Sequence, residues 1–125
     1  MTQKPVPEAV RPGLTGEAET LVCEHNVARH VDVFSTPSMV LLMERACVNA
    51  VHPHLDPSQT TVGYEVHLRH LAPTPLGMKV KATAVLEEVT GNRLHFRVEV
   101  HDQEKKVGEG SHKRAIVGAR FGEKR

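Results

Sequence analysis

The stretch that decides the fold is Phe34-Ser-Thr-Pro-Ser-Met-Val-Leu-Leu-Met-Glu-Arg-Ala-Cys-Val-Asn-Ala-Val51. Thr36 precedes Pro37, and this pair predicts a helix start, because a hydroxyl caps free N–H groups and proline suits the first helical turn. At about 100° per residue, Arg45 and Asn49 mark one exposed strip. The rest of the surface is apolar, and its buried side is predicted to comprise Met39, Val40, Leu42, Met43, Ala46, Cys47, Ala50 and Val51. Such a helix is the centre of a domain.

Glu44 lies within this apolar helix and not on its exposed strip. On a helical wheel it falls among valines, about 100° from Arg45. Burying an unpaired carboxylate costs several kcal/mol, so the group needs a partner or a function. Two interpretations stay open. One is structural: Glu44 makes a buried ion pair, or the helix is rotated so that its carboxylate reaches solvent. The other is a functional carboxylate in a site that excludes water.

The composition argues against several classes of function. The 125 residues suffice for one domain with a single core, and a formal net charge of +1 indicates no polyanionic partner. Aromatic residues make up only 3%, which argues against nucleic-acid binding by base stacking. No apolar run reaches the roughly 18 residues of a membrane span, and the N-terminus lacks the apolar segment of a secretory signal. Cys23 and Cys47 suggest no disulfide framework, so we expect a cytoplasmic setting.

Alternating apolar and polar residues predict one strand before the helix and four after it, with turn residues between them. The predicted strands are Thr15 to Cys23, Thr60 to Leu71, Met78 to Val89, Arg93 to His101 and Lys106 to Val117. In the strand from Thr60, we expect one face to carry Val62, Tyr64, Val66, Leu68 and His70. Residues 1–13 are expected to form a flexible arm, residues 14–121 the domain and residues 122–125 a tail.

One buried helix and an antiparallel meander predict an α+β domain, in which the sheet wraps around the long central helix. Four or five short strands do not close into a barrel. The open sheet edges favour a partner, so we expect a homodimer or a dimer of dimers.

Other residues are candidates for chemistry. His70 lies on the apolar face of its strand; it is either a hydrogen-bonded core residue or an acid–base group with a pKa suited to neutral pH. Gly63, in mid-strand, indicates either a close approach by a backbone or ligand, or a simple bulge. No spacing of histidine, cysteine and carboxylate matches a metal motif, so no metal is expected. Cys47 is expected to be an inert packing thiol.

Three separated motifs together resemble a known family. They are Thr36-x-x-Met39-Val-x-Leu-Met-Glu44-x-Ala-Cys, then Gly63 with His70 seven residues later, then Gly108-x-Gly-x-His-x-Arg114. This pattern is similar to that of the hotdog-fold fluoroacetyl-CoA thioesterase-like family, over residues 14–121.

The resemblance implies a hotdog fold and hydrolysis of a short or small acyl-CoA thioester, with no cofactor beyond the CoA of the substrate. It implies that Thr36, Glu44 and His70 are catalytic and that Gly63 and Arg114 bind substrate. Arg114 is expected to meet the phosphates or the pantetheine of CoA. The family's specialist carries phenylalanines in the segment before the helix, where this chain has Val27 and His30, so the acyl preference stays open. The alternatives are a non-catalytic acyl-CoA or small-ligand binding protein and a hotdog hydratase or dehydratase.

The spacing of the three catalytic candidates bears on the assembly. The free N–H groups at the helix start suit an oxyanion. Either Thr36 or Glu44 can attack the thioester, Glu44 can instead activate water, and His70 can serve Thr36 or the leaving thiolate. Eight residues separate Thr36 from Glu44 by about 12 Å along a helix. We therefore predict an active site between subunits, with Thr36 from one copy and Glu44 from the other.

Overall fold

The structure is a computed structural model that describes residues 5–119 of the chain. One helix, α1 (Thr36–Val51), is followed by a single 3-10 turn at His52–His54. The strands are β1 (Thr15–Leu21), β2 (Val27–Ala28), β3 (Val33–Phe34), β4 (Gln59–His70), β5 (Lys79–Thr90), β6 (Arg93–Asp102) and β7 (Lys106–Gly118). The helix and the five long strands are confirmed to within two residues at each end. The hairpin formed by β2 and β3 was not predicted, because two-residue strands leave no periodic signal.

The long strands form one antiparallel sheet in the order β1-β5-β6-β7-β4. Helix α1 lies on its inner face, mainly over β1 and β5. The predicted α+β architecture is confirmed. Strands β1 and β4 form the two edges, and β4, with 12 residues, is the longer edge. No helix among residues 5–119 is long and apolar enough to cross a membrane.

The core lies between α1 and the inner face of the sheet. Arg45 and Asn49 are exposed, as predicted, whereas Val40 is only half-buried. The buried helix side chains are Met39, Leu42, Met43, Ala46, Cys47, Ala50 and Val51. Facing them are the fully buried alternate residues Val80, Ala82, Ala84, Leu86, Leu94, Phe96, Val98 and Val100 of β5 and β6. The alternation predicted for these two strands is therefore confirmed.

The cap of α1 differs from the prediction. Ser35, not Thr36, is the N-cap, and its Oγ accepts a hydrogen bond from the Ser38 N–H at 3.2 Å. Thr36 becomes the first helical residue, one position before Pro37. Because Ser35 satisfies the helix start, the Thr36 hydroxyl is left for another partner.

The faces of β4 also differ from the prediction. A bulge between Gly63 and Glu65 shifts the register against β7, so the alternation reverses there. Thr61 pairs with the buried Ile116 and His70 pairs with Gly108, so both face the helix. Val62 and Tyr64 therefore turn to the outer face, where the Arg93 guanidinium lies 5.3 Å from the Tyr64 ring centre. Periodicity alone cannot locate such an inserted residue.

The flexible arm predicted for residues 1–13 is corrected where the structure describes it. Val10 is 4% exposed and belongs to the hydrophobic core. The Gly13 N–H donates to the Leu86 carbonyl at 2.8 Å, and Gln59 Nε2 donates to the Pro5 carbonyl. Residues 5–13 thus pack on the domain, because Val10 and the partly buried Val6 both bury apolar surface against the core. Residues 122–125, the predicted tail, lie outside the described residues.

Asp102 ties the β6–β7 turn to the loop before β5. Its carboxylate has no exposed surface and accepts hydrogen bonds from the Glu104 N–H, the Lys105 N–H, Lys105 Nζ and Thr74 Oγ1. Burial acts to raise the pKa of Asp102, but these donors outweigh it and hold the pKa at about 2. Thr74 is itself fully buried, so the turn and the loop are fixed together.

Acidification should therefore weaken the fold through Asp102. Its folded pKa lies below its ordinary value, so its contribution is complete above about pH 4 and is lost as the pH falls towards about 2. Asp102→Asn should cost about 2 kcal/mol at pH 7. Urea unfolding of both proteins at pH 7, 4 and 2.5 measures the difference. A difference that stays constant from pH 7 to 2.5 would contradict this assignment.

Candidate active site

Thr36 and His70 form a hydrogen-bonded pair where the start of α1 meets the end of β4. Thr36 Oγ1 and His70 Nδ1 are 2.8 Å apart. His70 Nε2 is buried and has no hydrogen-bond partner among the described residues. Burial lowers the pKa of His70 below its ordinary value, and the nearby Ala72 backbone only partly opposes this shift. The ring is thus neutral at pH 7 and can accept the threonine proton.

The backbone at the start of α1 adds a hydrogen-bond donor to this pair. Proline has no N–H, and the Ser38 N–H is already bonded to Ser35. The Met39 N–H bonds to the Ser35 carbonyl. Within the first turn this leaves the Thr36 N–H, which donates to no described residue. A single free N–H at a helix N-terminus, next to the Thr36 hydroxyl, suits a developing oxyanion.

A cavity of about 440 Å³ opens onto this pair. It is an open cleft that the β2–β3 hairpin and the segment after β4 border, and its lining comprises Ala28, His30, Val33, Phe34, Ser35, Thr36, His70, Leu71, Ala72 and Pro73. Val27, the other position considered in this segment, packs against the core. The cavity is mostly apolar and has room for a small acyl group beside the Thr36 hydroxyl.

Glu44 lies two helical turns further on. Its side chain is half-buried, and its carboxylate has no hydrogen bond or ion pair with another described residue. It is nevertheless close enough to Arg114, His112 and Cys47 to influence the pKa of each. The ion-pair interpretation is therefore not supported within one chain. Glu44 is thus a half-buried carboxyl group close to the Arg114 guanidinium.

Arg114 is buried on the inner face of β7. Its Nε–H donates to Thr61 Oγ1 at 2.8 Å and its Nη2 donates to the Thr61 carbonyl at 3.0 Å. Its Nη1 donates to His112 Nε2 at 3.1 Å. Burial lowers the pKa of Arg114, and the Glu44 charge opposes this. Only 8% of the Arg114 surface is exposed in the chain, and its contact with the phosphates or the pantetheine of CoA stays a prediction.

Gly63 lies over this buried group, opposite Arg114 in the register of β4 and β7. A Cβ atom at Gly63 would lie 3.0 Å from both Arg114 Nη1 and His112 Cε1. Gly63 also borders the β4 bulge, so both interpretations of this glycine apply. The absence of a side chain gives the histidine and the guanidinium their room.

The five predicted site residues thus fall into two clusters in one chain. Thr36 and His70 form the first, and Glu44, Arg114 and Gly63 form the second. Sequence reasoning missed the parts played by His112 and Thr61. His112 is part of the Gly108-to-Arg114 motif. Its contact with Arg114 could not be predicted, because it depends on the rotamers of two side chains on the same face of β7.

Other features add no second candidate centre. No group of three or more metal-binding side chains occurs within residues 5–119. Burial raises the pKa of the Cys47 thiol to about 12, which makes it an inert packing group, as expected. A larger depression of about 730 Å³ lies on the outer face of the sheet. Its charged side chains, such as Arg97 with Glu87 and Lys106 with Glu109, mostly pair with each other.

Comparison with known proteins gives a consistent result. Residues 16–120 match the family model described as fluoroacetyl-CoA-specific thioesterase. A curated fluoroacetyl-CoA thioesterase from Streptantibioticus cattleyicolor is 36% identical over 121 aligned residues, which cover 88% of this chain and 87% of the relative.

Solved structures give the same result for the fold. A threonine-to-serine variant of the fluoroacetyl-CoA enzyme in complex with acetyl-CoA superposes with a TM-score of 0.84 at 35% identity, covering 90% of this chain and 92% of that one. A thioesterase superfamily member from Thermus thermophilus has a TM-score of 0.84 at 28% identity, covering 95% and 89%. The hotdog fold implied by the sequence motifs is therefore confirmed.

Proposed function

Because this chain belongs to the fluoroacetyl-CoA-specific thioesterase family, we propose that it hydrolyses small acyl-CoA thioesters to the free acid and CoA. The observation that carries the proposal is the hydrogen bond of 2.8 Å between Thr36 Oγ1 and His70 Nδ1, beside the free Thr36 N–H. The CoA thioester is the substrate, and no further cofactor is part of the proposal.

The proposed chemistry uses these groups at the thioester carbonyl. The Thr36 N–H stabilises the oxygen as it gains negative charge. The Thr36 hydroxyl and His70 form a proton path, and His70 delivers a proton to the sulfur as the C–S bond breaks. The oxygen that forms the new C–O bond comes ultimately from water. Glu44 either attacks the carbonyl or removes a proton from the attacking water, and both routes require its carboxylate.

We propose further that each active site is composite. In one chain, Glu44 follows Thr36 by two helical turns, about 12 Å along α1, and no bond joins them. A thioester carbon that both residues reach therefore takes Thr36 and His70 from one copy of the chain and Glu44 from a second copy. The half-buried Val40 and Val48 flank Glu44 on α1 and form an apolar strip suited to cover by that copy.

Strand β4 is suited to make this contact. It is a long edge strand whose outer backbone groups pair with no other strand of the described chain, and it exposes Val62 and Val66. In an antiparallel pair of two β4 strands about a two-fold axis, residue numbers at opposite positions have a constant sum. A two-fold axis at His67 sets Val66 opposite Leu68 and, because the bulge inserts Tyr64 as an extra residue, sets His70 of one copy opposite Gly63 of the other. That pairing unites the two clusters, so the proposed assembly is a homodimer, alone or within a dimer of dimers.

The proposed substrate is a short acyl group on CoA. The cavity of about 440 Å³ beside Thr36 fits a few carbon atoms, and the relative from Streptantibioticus cattleyicolor is named for a two-carbon acyl group. His30 lines this cavity as a polar side chain, so we expect fluoroacetyl-CoA to be one substrate among several. The two cysteines are both free, which suits the proposed cytoplasmic location.

Release of free thiol from acetyl-, fluoroacetyl-, butyryl- and decanoyl-CoA tests the proposal. We expect turnover of the two- to four-carbon esters and a loss of kcat of about 100-fold in Thr36→Ala. Thr15→Ala, an exposed threonine of β1 remote from the cavity, is the control and should retain wild-type rates. CoA-ester binding without thiol release from any ester would instead identify a non-catalytic binding protein.

A further inference from the structure

We propose that His112 is a positioning residue for this reaction, which holds the Arg114 guanidinium in the orientation that the substrate meets. The inference rests on the proposed hydrolysis and extends it to a residue with no assigned part. His112 is 2% exposed and lies on the inner face of β7, two residues before Arg114. It makes no hydrogen bond with Thr36 or His70, so we expect its effect on the reaction to pass through Arg114.

The contacts of His112 fix its tautomer. Its Nδ1 lies 3.1 Å from the Glu65 carbonyl oxygen, which can only accept, so Nδ1 carries the proton. Its Nε2 lies 3.1 Å from Arg114 Nη1, which can only donate, so Nε2 presents its lone pair. Only the neutral ring protonated at Nδ1 satisfies both contacts. Burial and the Arg114 charge lower the pKa of His112, and the Glu44 charge and the Glu65 carbonyl only partly oppose this, so the net shift favours the same neutral form.

The guanidinium is held on two sides and left open on a third. Of its five N–H groups, two bond to Thr61 and one bonds to His112. One N–H on Nη1 and one on Nη2 have no partner among the described residues. Buried donors of this kind need an acceptor, and an incoming thioester can provide one. His112 and Thr61 together decide where these two donors point.

The residues around the His112 imidazole hold it in one position. Gly63 leaves the space that the ring edge and Arg114 Nη1 both occupy, since a Cβ would come within 3.0 Å of each. On its other side the ring packs near Phe96, with centroids 6.4 Å apart. A long arginine side chain loses conformational entropy when it is held in one rotamer. Because Thr61 and His112 already hold Arg114, this entropy is lost on folding and not on substrate binding.

A double-mutant cycle separates positioning from simple structural support. His112→Phe keeps an aromatic ring at this position but removes the acceptor, and we expect kcat/KM to fall about 100-fold. His112→Gln restores an acceptor toward Arg114 and should recover at least a tenth of wild-type kcat/KM. In an Arg114→Gln background, His112→Phe should have less than a threefold further effect, because its influence passes through the arginine. His101→Gln, on an exposed residue of β6, is the control.

Wild-type kcat/KM in His112→Phe, or an undiminished effect of His112→Phe in the Arg114→Gln background, would overturn the inference. If His112→Phe does not fold, nitrogen-15 NMR of the wild-type protein provides the test. The His112 ring should carry its proton on Nδ1 at pH 7, and a proton on Nε2 would contradict the proposed contact with Arg114. Failure of the wild-type protein to hydrolyse any acyl-CoA would instead refute the proposed function, and it is measured first.

Discussion

Glu44→Gln should lower kcat by about 1,000-fold while the protein stays folded. Glutamine keeps the size of the side chain in its half-buried position on α1 but removes the negative charge. Both proposed routes, attack on the carbonyl and activation of water, require that charge. Thiol release from acetyl-CoA under saturating substrate measures the effect, and thermal unfolding verifies the fold. Glu44 makes no hydrogen bond or ion pair with another described residue and interacts with Arg114 only through space, so its neutralisation should lower the melting temperature by no more than about 5 °C.

Two variants control for the position and for the charge. Arg45→Gln changes the next residue of the helix on the exposed strip, and Glu19→Gln removes a carboxylate from the exposed face of β1. Both should retain kcat within a factor of two. A Glu44→Gln protein with more than a tenth of wild-type kcat would remove Glu44 from the proposed catalytic set.

Gly16→Ala should be among the most destabilising single-methyl changes in the chain. A Cβ atom at Gly16 would lie 2.3 Å from both the Ala46 carbonyl oxygen and the Ala50 nitrogen. Both atoms belong to the backbone of α1, so no flexible side chain can move aside, and the helix must shift away from β1. We expect a loss of about 3 kcal/mol, seen as a fall in melting temperature of about 10 °C.

Gly118→Ala is the matched control. Gly118 ends β7, and a Cβ there would meet no atom within 4 Å. Its backbone does not have a positive φ, so alanine should change the free energy of unfolding by less than about 0.5 kcal/mol. Equal stability of the Gly16→Ala and Gly118→Ala proteins would contradict the close packing of β1 on α1.

The helix and the long strands could be predicted from the sequence because each has a local pattern of apolar and polar residues. The apolar surface of α1 and the alternation in β5 and β6 follow from one-dimensional periodicity, and the buried residues match the predictions except for the half-buried Val40. The exception is Glu44, whose polar character in an apolar helix indicated a functional site. A residue that disagrees with its local pattern is informative for this reason.

The geometry of the candidate site depends on tertiary contacts, which the periodicity of the sequence does not reveal. The bulge after Gly63 reverses the faces of β4, so Val62 and Tyr64 were assigned to the wrong side. Ser35 and Thr36 are both suitable caps by residue type, and the structure shows that Ser35 caps the helix while Thr36 reaches His70. The hydrogen bonds from Arg114 to His112 and Thr61 form only when β4 and β7 pair in the observed register, which brings the three side chains together. Such contacts are set by tertiary packing.

A heterodimer tests the composite site most directly. Thr36→Ala and Glu44→Gln chains, co-expressed with different tags and purified as the mixed dimer, keep one site in which both residues are intact. The complementary dimer pairs a wild-type chain with a Thr36→Ala/Glu44→Gln chain, so that each composite site lacks one residue. Both homodimers of the single variants provide the background rate.

The account predicts that the first mixed dimer has about half the wild-type kcat per dimer and that the complementary dimer is inactive. The reverse result, an inactive first dimer and a half-active complementary dimer, would place Thr36 and Glu44 of one chain in the same site and contradict the account.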